Sequence, residues 1–347
     1  MKHARPQAAV SILAAASIAC GAARSAPQVP QDEGPSLTPA GEVVKSSGEV
    51  RLVWSADGTE LFYTTPADVK SVRLSDGFIR TLAAVNGFLD LELAPGGVAL
   101  YVVSVPASGP PDVLVDLFSG HRFPDLPVGY GIPHNVMQVA VSPDGRRIAF
   151  ELDAGIGLYD LASGAVVSVP GCTPALDFDP PPAVFSPTGA EILCRNPSGG
   201  PTGALIVELA SGSARAVEAG GYVRWGSDGL RTFEGCAPSG RPMFCVRDVD
   251  AGSTRGLYAV DPMFLPGGAA WSPDGRAIAL WELARCDDSP SFICWPVRAR
   301  LQIIDVTSGN ATVLASGTDI PGAMAFSPDS GRVAYVFGTM IHARSVR

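Results

Sequence analysis

Few residues of this chain have the types and spacing for chemistry, and most of them are acids or arginines in apolar surroundings. Two carboxylates, Asp90 and Glu92, alternate with leucines in the stretch Phe88–Leu93. A pair of carboxylates can serve a hydrolase or lyase as general acid and base. The polar residues that interrupt apolar stretches in this way are Arg51, Asp90, Glu92, Gln138, Tyr222 and Arg224. Buried polar groups must be paired or solvated, so they form either a polar ligand site or a set of structural ion pairs.

The sequence contains none of the common catalytic motifs. It has no GxSxG elbow, no HExxH, no P-loop and no GxGxxG after a strand, and no residue is nominated as catalytic. The histidines that follow the N-terminal segment are His121, His134 and His342, which are too scattered to predict a metal site. Five aspartates stand alone in turns and are interpreted as turn caps, since calcium takes several converging oxygens: Asp57, Asp144, Asp228, Asp274 and Asp329. Neither a metal nor a cofactor is expected.

Six cysteines follow Cys20, and an even number is typical of disulfides in an exported chain. No CxxC pair occurs and no histidine lies near a cysteine pair, so disulfides are favoured over a metal site. Proximity in the sequence suggests three bridges among the many possible connectivities: Cys172–Cys194, Cys236–Cys245 and Cys286–Cys294.

One sequence motif, here called the phrase, occurs seven times and indicates the elements that position these residues. It reads apolar-Ser-Pro-Asp-Gly, then two variable residues, then apolar-Ala-apolar, most clearly in 141–150 and 271–280. Proline, aspartate and glycine at these places predict a tight turn between two strands. The copies start at Trp54, Leu93, Val141, Phe185, Trp225, Trp271 and Phe326, and their turn glycines are Gly58, Gly97, Gly145, Gly189, Gly229, Gly275 and Gly331. In the last copy a serine precedes Gly331, which we interpret as a one-residue insertion in the turn.

A second hairpin follows most copies, so each repeat predicts a four-stranded antiparallel sheet with strands a to d. Seven such units indicate an all-β, seven-bladed β-propeller over residues 41–347. A β-sandwich is the less favoured alternative, since sandwiches do not repeat one phrase seven times. The last copy lacks strand d, and Gly41–Ser46 offers a spare strand. We therefore expect the N- and C-terminal strands to pair and close the ring, which also protects two sheet edges.

The phrase SPDGRxIAF followed by a strand of the form xxLYDLxSG resembles the repeat of TolB-type β-propellers. The resemblance extends over residues 41–347 and implies the fold, but it says little about function. TolB carries an additional N-terminal α/β domain, for which the residues ahead of the first strand here leave no room. The partners known for TolB are therefore not expected to transfer.

Propeller geometry predicts where the candidate residues lie. Strand a lines the central channel, so the six polar residues belong at the channel mouth, whereas the aromatic residues that open several copies pack between blades. The d–a and b–c connections share one face, here called the cysteine face, because Cys172 lies in a d–a connection and the other five cysteines at b-strand ends or in b–c loops. The loop Arg285–Arg298 on that face, with Phe292 and Trp295, suits a protein-contact patch or burial over its blade equally well.

The N-terminal residues indicate export. Residues 1–20 have a positive start and a short apolar core, which is typical of a signal peptide. The core ends in Ser17-Ile-Ala-Cys20, which resembles a bacterial lipobox with Cys20 as the acylated residue. Ordinary cleavage after Ala22 or Ala23, giving a soluble protein, is the alternative. Residues 21–40 are rich in Ala, Pro, Gln, Ser and Gly and predict a flexible linker.

Composition narrows the class of function. The net charge is −9 and no basic cluster occurs, so nucleic acid is not an expected partner. The membrane is expected to be reached through the lipid anchor alone. The sequence favours a monomeric binding or scaffold module of the cell envelope, in the periplasm or on the outer membrane, or secreted, with a protein, peptide or glycan ligand. The alternative is a propeller hydrolase or lyase that acts through Asp90 and Glu92 at the channel mouth.

Overall fold

The computed structural model describes most of the chain from residue 50 onward. The described residues are 50–65, 67–84, 88–105, 113–123, 139–152, 155–173, 183–196, 198, 203–237, 242–286, 289–293, 298–319 and 321–346. The signal peptide, Cys20, the linker and the spare strand Gly41–Ser46 lie outside them. Within this part of the chain the only helical element is a short 3-10 turn at Pro95–Gly97. No helix in it is long and apolar enough to cross a membrane.

The first three blades are four-stranded antiparallel sheets. Blade 1 consists of β1 (Leu52–Trp54), β2 (Glu60–Thr64), β3 (Asp68–Arg73) and β4 (Ile79–Ala84). Blade 2 consists of β5 (Phe88–Leu93), β6 (Leu100–Val105), β7 (Val113–Asp116) and β8 (Arg122–Phe123). Blade 3 consists of β9 (Ala140–Val141), β10 (Arg147–Leu152), β11 (Gly155–Asp160) and β12 (Val166–Val169).

The remaining four sheets follow in the same order along the chain. Blade 4 consists of β13 (Ala183–Phe185), β14 (Glu191–Arg195), β15 (Gly203–Glu208) and β16 (Ala214–Glu218). Blade 5 consists of β17 (Tyr222–Gly226), β18 (Gly229–Cys236), β19 (Met243–Asp248) and β20 (Ser253–Ala259). Blade 6 consists of β21 (Phe264–Trp271), β22 (Ala277–Cys286), β23 (Ser289–Ile293), β24 (Ala299–Asp305) and β25 (Ala311–Gly317). Blade 7 consists of β26 (Pro321–Phe326), β27 (Arg332–Phe337) and β28 (Met340–Ser345).

The seven sheets form a ring, and the predicted seven-bladed β-propeller is confirmed. Each inner strand contacts the inner strands of its two neighbours, and β26 contacts β1 where the chain returns to its start. Seven clusters of buried apolar side chains fill the seven gaps between blades. At the junction of blades 7 and 1, Trp54 Nε1 donates to the Ala325 carbonyl at 2.9 Å. The Arg332 guanidinium lies over the Trp54 ring and donates to the Gly58 carbonyl.

The serine and aspartate of the repeated turn form a small network of hydrogen bonds with each other and with the turn backbone, here called the ladder. In blade 3, Ser142 Oγ donates to Asp144 Oδ1 at 2.6 Å and accepts from the Arg147 N–H at 2.9 Å. Asp144 Oδ1 also accepts from the Arg146 N–H at 3.1 Å. Blades 1, 6 and 7 repeat this arrangement. Serine and aspartate suit turns of this kind because their side chains bond to the nearby backbone, and Thr188 takes the place of the aspartate in blade 4.

The turn of blade 7 corrects one expectation. Ser330, not Gly331, has the positive φ of 59° and donates its N–H to the Ser327 carbonyl, as Gly145 does to Ser142 in blade 3. Phe326 pairs with Val333 and Val141 with Ile148, which is the same separation in both blades. The turn therefore has no insertion, and serine replaces the glycine.

Blade 6 corrects a second expectation. The connection predicted as a loop between Arg285 and Arg298 contains β23, which pairs with the end of β22 and extends it as a hairpin. The side chain of Phe292 and the whole of Trp295 lie outside the described residues, so the contact patch stays a prediction.

Candidate functional site

Two of the predicted channel residues, Arg51 and Asp90, form contacts between blades. Asp90 is buried on β5, and its Oδ1 lies 3.4 Å from Arg51 Nε in blade 1. Its Oδ2 accepts from the Val139 N–H at the start of blade 3, at 2.5 Å. One carboxylate thus connects three consecutive inner strands. The Arg51 contact is an ion pair, and the hydrogen bond from the Val139 N–H is charge-assisted and therefore about twice as strong as a neutral one.

Glu92 lies two residues farther along β5, so its side chain leaves the strand on the same side as that of Asp90. Apolar residues, Val53 and Ala140, occupy the equivalent position in the two neighbouring inner strands. Among the described residues, none forms a hydrogen bond to the Glu92 carboxyl group. Its side chain is partly accessible on the inner strand, although protein surrounds it closely.

These surroundings change the acidity of both carboxyl groups. Burial raises the pKa of Glu92 to about 8, the nearby Asp90 adds to the rise, and Arg51 opposes it. Burial also raises the pKa of Asp90, against the effects of Arg51 and of two backbone N–H groups. Glu92 therefore carries its proton at neutral pH and can donate or accept one, which is the property of a general acid or base.

The other predicted channel residues do not join this group. Arg224 Nη1 lies 2.7 Å from Asp228 Oδ1 in its own turn, and Nη2 donates to the Pro273 carbonyl of blade 6 at 3.0 Å. The carbonyl of Tyr222 accepts from Trp271 Nε1 at 2.9 Å. Both residues therefore join blade 5 to blade 6. Gln138 lies outside the described residues, so the structure brings together Arg51, Asp90 and Glu92 only.

Two disulfides are present, and they are the pairs that the sequence spacing suggested. Cys172–Cys194 joins blades 3 and 4 with a Cα–Cα distance of 5.6 Å, and Cys236–Cys245 lies within blade 5 at 5.9 Å. Cys245 was expected near a strand end or in a loop, but it is the third residue of β19, strand c of its blade. The third pair falls outside the described residues at Cys294. The described residues hold no group of three or more His, Cys, Asp or Glu placed for one metal ion.

One surface feature was missed by the sequence analysis. A cavity of about 290 Å³ opens between blades 1 and 2 on the face formed by the a–b and c–d turns, here called the turn face. We call this cavity the blade 1–2 groove; the side chains that line it include Asp57, Phe62, Leu93 and Phe118, with Gly96 and Gly97 at its rim. The signal was present in the sequence, because the Leu93–Val102 copy replaces the serine and aspartate of the turn with Ala94 and Gly96.

Comparisons with known proteins identify the fold and not the family. No protein-family model matches the sequence. Among solved structures, an oligogalacturonate lyase in complex with manganese is similar with a TM-score of 0.60 and 13% identity, over 90% of this chain and 92% of that one. A chain of a mitotic checkpoint complex is similar with a TM-score of 0.53 and 14% identity, over 93% of this chain and 99% of that one. Likenesses at such identities establish a propeller and nothing finer.

TolB proteins are also among the structural neighbours. TolB from Acinetobacter baumannii is similar with a TM-score of 0.41 and 15% identity, over 78% of this chain and 55% of that one. This chain therefore spans about half the length of that TolB. Membership of the TolB family stays a prediction.

Proposed function

We propose that this chain is an exported β-propeller of the bacterial cell envelope that works as a binding or scaffold module for a protein, peptide or glycan. The observation that supports a scaffold is the position of Asp90, whose carboxylate bridges Arg51 and the Val139 N–H across three blades. Arg224 likewise bridges blades 5 and 6. The charged groups of the ring interior thus rigidify the ring, which leaves the loops and turns of the two faces as the surfaces for ligands.

The proposal is tested by site-specific photo-crosslinking in the native envelope. A benzophenone amino acid is placed at Val98, which is 75% exposed on the turn face, or at Phe292, in the contact loop that the sequence predicts for the cysteine face. Val167, 62% exposed on the outer strand β12, is the matched control position. We expect a discrete adduct from at least one face and none from Val167. Absence of any adduct from both faces would contradict a binding function.

Location is part of the proposal. The signal peptide, the lipobox cysteine Cys20 and the linker 21–40 support a monomeric propeller tethered to a membrane, and the two disulfides are compatible with an exported chain. Three acyl chains exceed the two signals that stable anchoring needs. Replacing Cys20 with Ser should move the protein from the membrane to the soluble envelope fraction. A Cys20→Ser variant that stays in the membrane fraction would exclude the lipid anchor, and wild type that is already in the soluble fraction would favour the soluble alternative.

An enzyme is the second candidate, and one observation favours it. Glu92 is a channel acid whose pKa is raised to about 8, which is the tuning that proton transfer near neutral pH requires. Such an enzyme would abstract or deliver a proton at the channel wall, as a hydrolase or lyase does. Oligogalacturonate is a suitable first probe because one fold neighbour bears that substrate in its name. Turnover that Glu92→Gln abolishes would establish the enzyme; turnover that survives this substitution would exclude Glu92 from the chemistry.

A further inference from the structure

The blade 1–2 groove exists because blade 2 departs from the repeat at two separate turns. The second residue after strand c is serine, alanine, aspartate or threonine in the other blades with this turn, namely Ser75, Ala162, Ala210, Asp250 and Thr307. Blade 2 has Phe118 there, with 45% of its surface exposed. The a–b turn of the same blade carries Gly96 in place of aspartate, so no side chain fills the space beside that ring.

Phe118 is held in place and is not a loose surface residue. Its ring meets the buried Phe62 of blade 1 edge to face, with centroids 5.7 Å apart. Its N–H donates to Asp116 Oδ1 at 3.0 Å, and the Ser119 hydroxyl donates to the other oxygen of Asp116. A preformed aromatic surface loses little conformational entropy when a ligand covers it. The Phe118 ring is therefore a suitable wall for a binding pocket.

The rim of the groove is set by backbone. A Cβ atom added to Gly97 would lie 2.8 Å from the Ala56 Cβ, so the two a–b turns are packed as closely as glycine permits. A Cβ atom added to Gly96 would have no neighbour within 4 Å, because this glycine faces the open space. Both glycines have positive φ, which fixes the turn shape without a side chain. The opening is therefore a property of the blade 2 sequence.

The groove combines an apolar floor with one carboxylate at its edge. Leu93, Phe62 and Phe118 provide the floor, and Asp57 stands at the blade 1 side. Hydrogen bonds from the Ser55 hydroxyl and from Thr59 lower the pKa of Asp57 to about 2, so it stays ionised. The net charge of the chain, −9, adds a general attraction for cations.

We propose that the blade 1–2 groove binds a peptide segment of a partner protein, accepting one bulky apolar or aromatic side chain that is followed by a lysine or arginine. A cavity of about 290 Å³ suits one large side chain and not a drug-sized ligand. The floor recognises the apolar group and the Asp57 carboxylate recognises the cation. This inference deepens the proposed binding function and rests on it only for the statement that the partner is a protein.

The test uses blocked dipeptides and the whole mature propeller. Acetyl-Trp-Lys-amide is titrated while the backbone amide shifts of Gly97 and Val98 are followed by NMR, with acetyl-Trp-Glu-amide and acetyl-Ala-Lys-amide as matched probes. We expect saturable binding in the high micromolar to millimolar range for Trp-Lys, weaker binding for Trp-Glu and none for Ala-Lys. Phe118→Ala should weaken Trp-Lys binding tenfold or more. Asp57→Asn should remove the preference for lysine over glutamate.

Phe78→Ala is the control, since Phe78 is an exposed aromatic residue in the corresponding turn of blade 1 that does not line the groove. It should leave the affinity unchanged. Equal affinity of wild type and Phe118→Ala, or no saturable shift with any probe, would overturn the proposal. An envelope adduct that forms equally well in Phe118→Ala would reject the groove and keep the binding function. Dipeptide binding without any envelope adduct would keep the groove and reject that function.

Discussion

Blades 2 and 6 are built on the same phrase and hold their charged groups in opposite places. In blade 6 the inner strand has Gly268 and Ala270 where blade 2 has Asp90 and Glu92. Blade 6 instead buries Glu282 on β22, its second strand. Glu282 of blade 6 is fully buried against its own blade and blade 5, whereas Glu92 of blade 2 is partly accessible on the inner strand. This difference separates an acid that is enclosed by protein partners from one that keeps some exposure.

Glu282, the buried acid of blade 6, accepts side-chain hydrogen bonds, whereas Glu92 of blade 2 accepts none from the described residues. Glu282 Oε2 accepts from Arg300 Nε at 2.5 Å and from Gln302. Gln302 continues to the Tyr258 hydroxyl at 2.8 Å, and the Arg300 guanidinium lies 3.8 Å from the centre of the Phe264 ring. Networks of this kind define one packing of neighbouring blades. Glu92 has no comparable partner among the described residues, so its proton remains available.

The largest expected effect is in blade 6. Glu282→Ala takes the buried carboxylate away from Gln302 and from Arg300, which keeps Asp261 at 3.2 Å, and should lower the free energy of unfolding by about 2–3 kcal/mol. Chemical denaturation of wild type and variant measures it. Arg215→Ala is the matched control, because it removes a half-exposed ion pair with Asp250 and should cost no more than about 1 kcal/mol. Equal costs for the two variants would show that the buried network is not special.

In blade 2, the raised pKa of Glu92 should make the free energy of unfolding depend on pH. The pKa of Glu92 is about 8 in the folded state against an ordinary 4.5. The folded protein therefore keeps a proton that the unfolded chain has lost between these values. The stabilisation from that proton is complete below pH 4.5 and disappears as the pH rises towards 8. The slope from this residue is at most about 1.4 kcal/mol per pH unit.

Glu92→Gln should flatten this slope, so that the variant gains on wild type as the pH is raised from 5 to 9. Denaturant unfolding at several pH values measures the slope for both proteins. Glu208→Gln is the control, since Ser211 and Ser213 lower the pKa of Glu208 and its titration lies below this interval. Parallel curves for wild type and Glu92→Gln would mean that Glu92 is ionised and solvated like a surface acid.

The fold could be predicted because each copy of the phrase specifies a β-hairpin through its own residues alone. Proline, aspartate and glycine determine a turn, and the apolar residues beside it determine two strands, so seven copies specify seven sheets. Ser330 shows the limit of such reasoning. Serine takes a positive φ in a turn whose other hydrogen bonds are all in place, and this depends on the whole ladder and not on the one residue.

The candidate site was only partly predictable, because it depends on how blades meet. The sequence placed Arg51, Asp90 and Glu92 on inner strands, but neither the bridge to the Val139 N–H nor the apolar neighbours of Glu92 can be read from any one repeat. The groove was missed for the same reason, since Phe118 and Gly96 belong to different turns. A position-by-position comparison of the copies reveals both departures, because the other blades act as internal controls.

The smallest expected effects on the free energy of unfolding come from substitutions that give the a–b turn of one blade the residue of the other. Asp274 Oδ1 accepts from the Ser272 hydroxyl at 2.7 Å and from the Arg276 N–H at 3.1 Å. Asp274→Gly loses both bonds and should cost about 2 kcal/mol. In blade 2, Gly96→Asp alone should cost about 1 kcal/mol, because Gly96 has a φ of 75° that a residue with a side chain adopts only with strain, and Ala94 provides no hydroxyl for the new carboxylate.

Adding Ala94→Ser to Gly96→Asp restores the donor, and the double variant should gain about 1 kcal/mol beyond the sum of the single changes. A thermodynamic cycle from four denaturation curves measures this coupling. Zero coupling would mean that the blade 2 turn cannot adopt the shape of the turns in blades 1, 3, 6 and 7. Positive coupling would show that the ladder is accessible to blade 2 at the cost of two substitutions. In that case the residues Ala94 and Gly96, and not the backbone of the ring, keep the blade 2 turn open. We expect this if the groove binds a ligand.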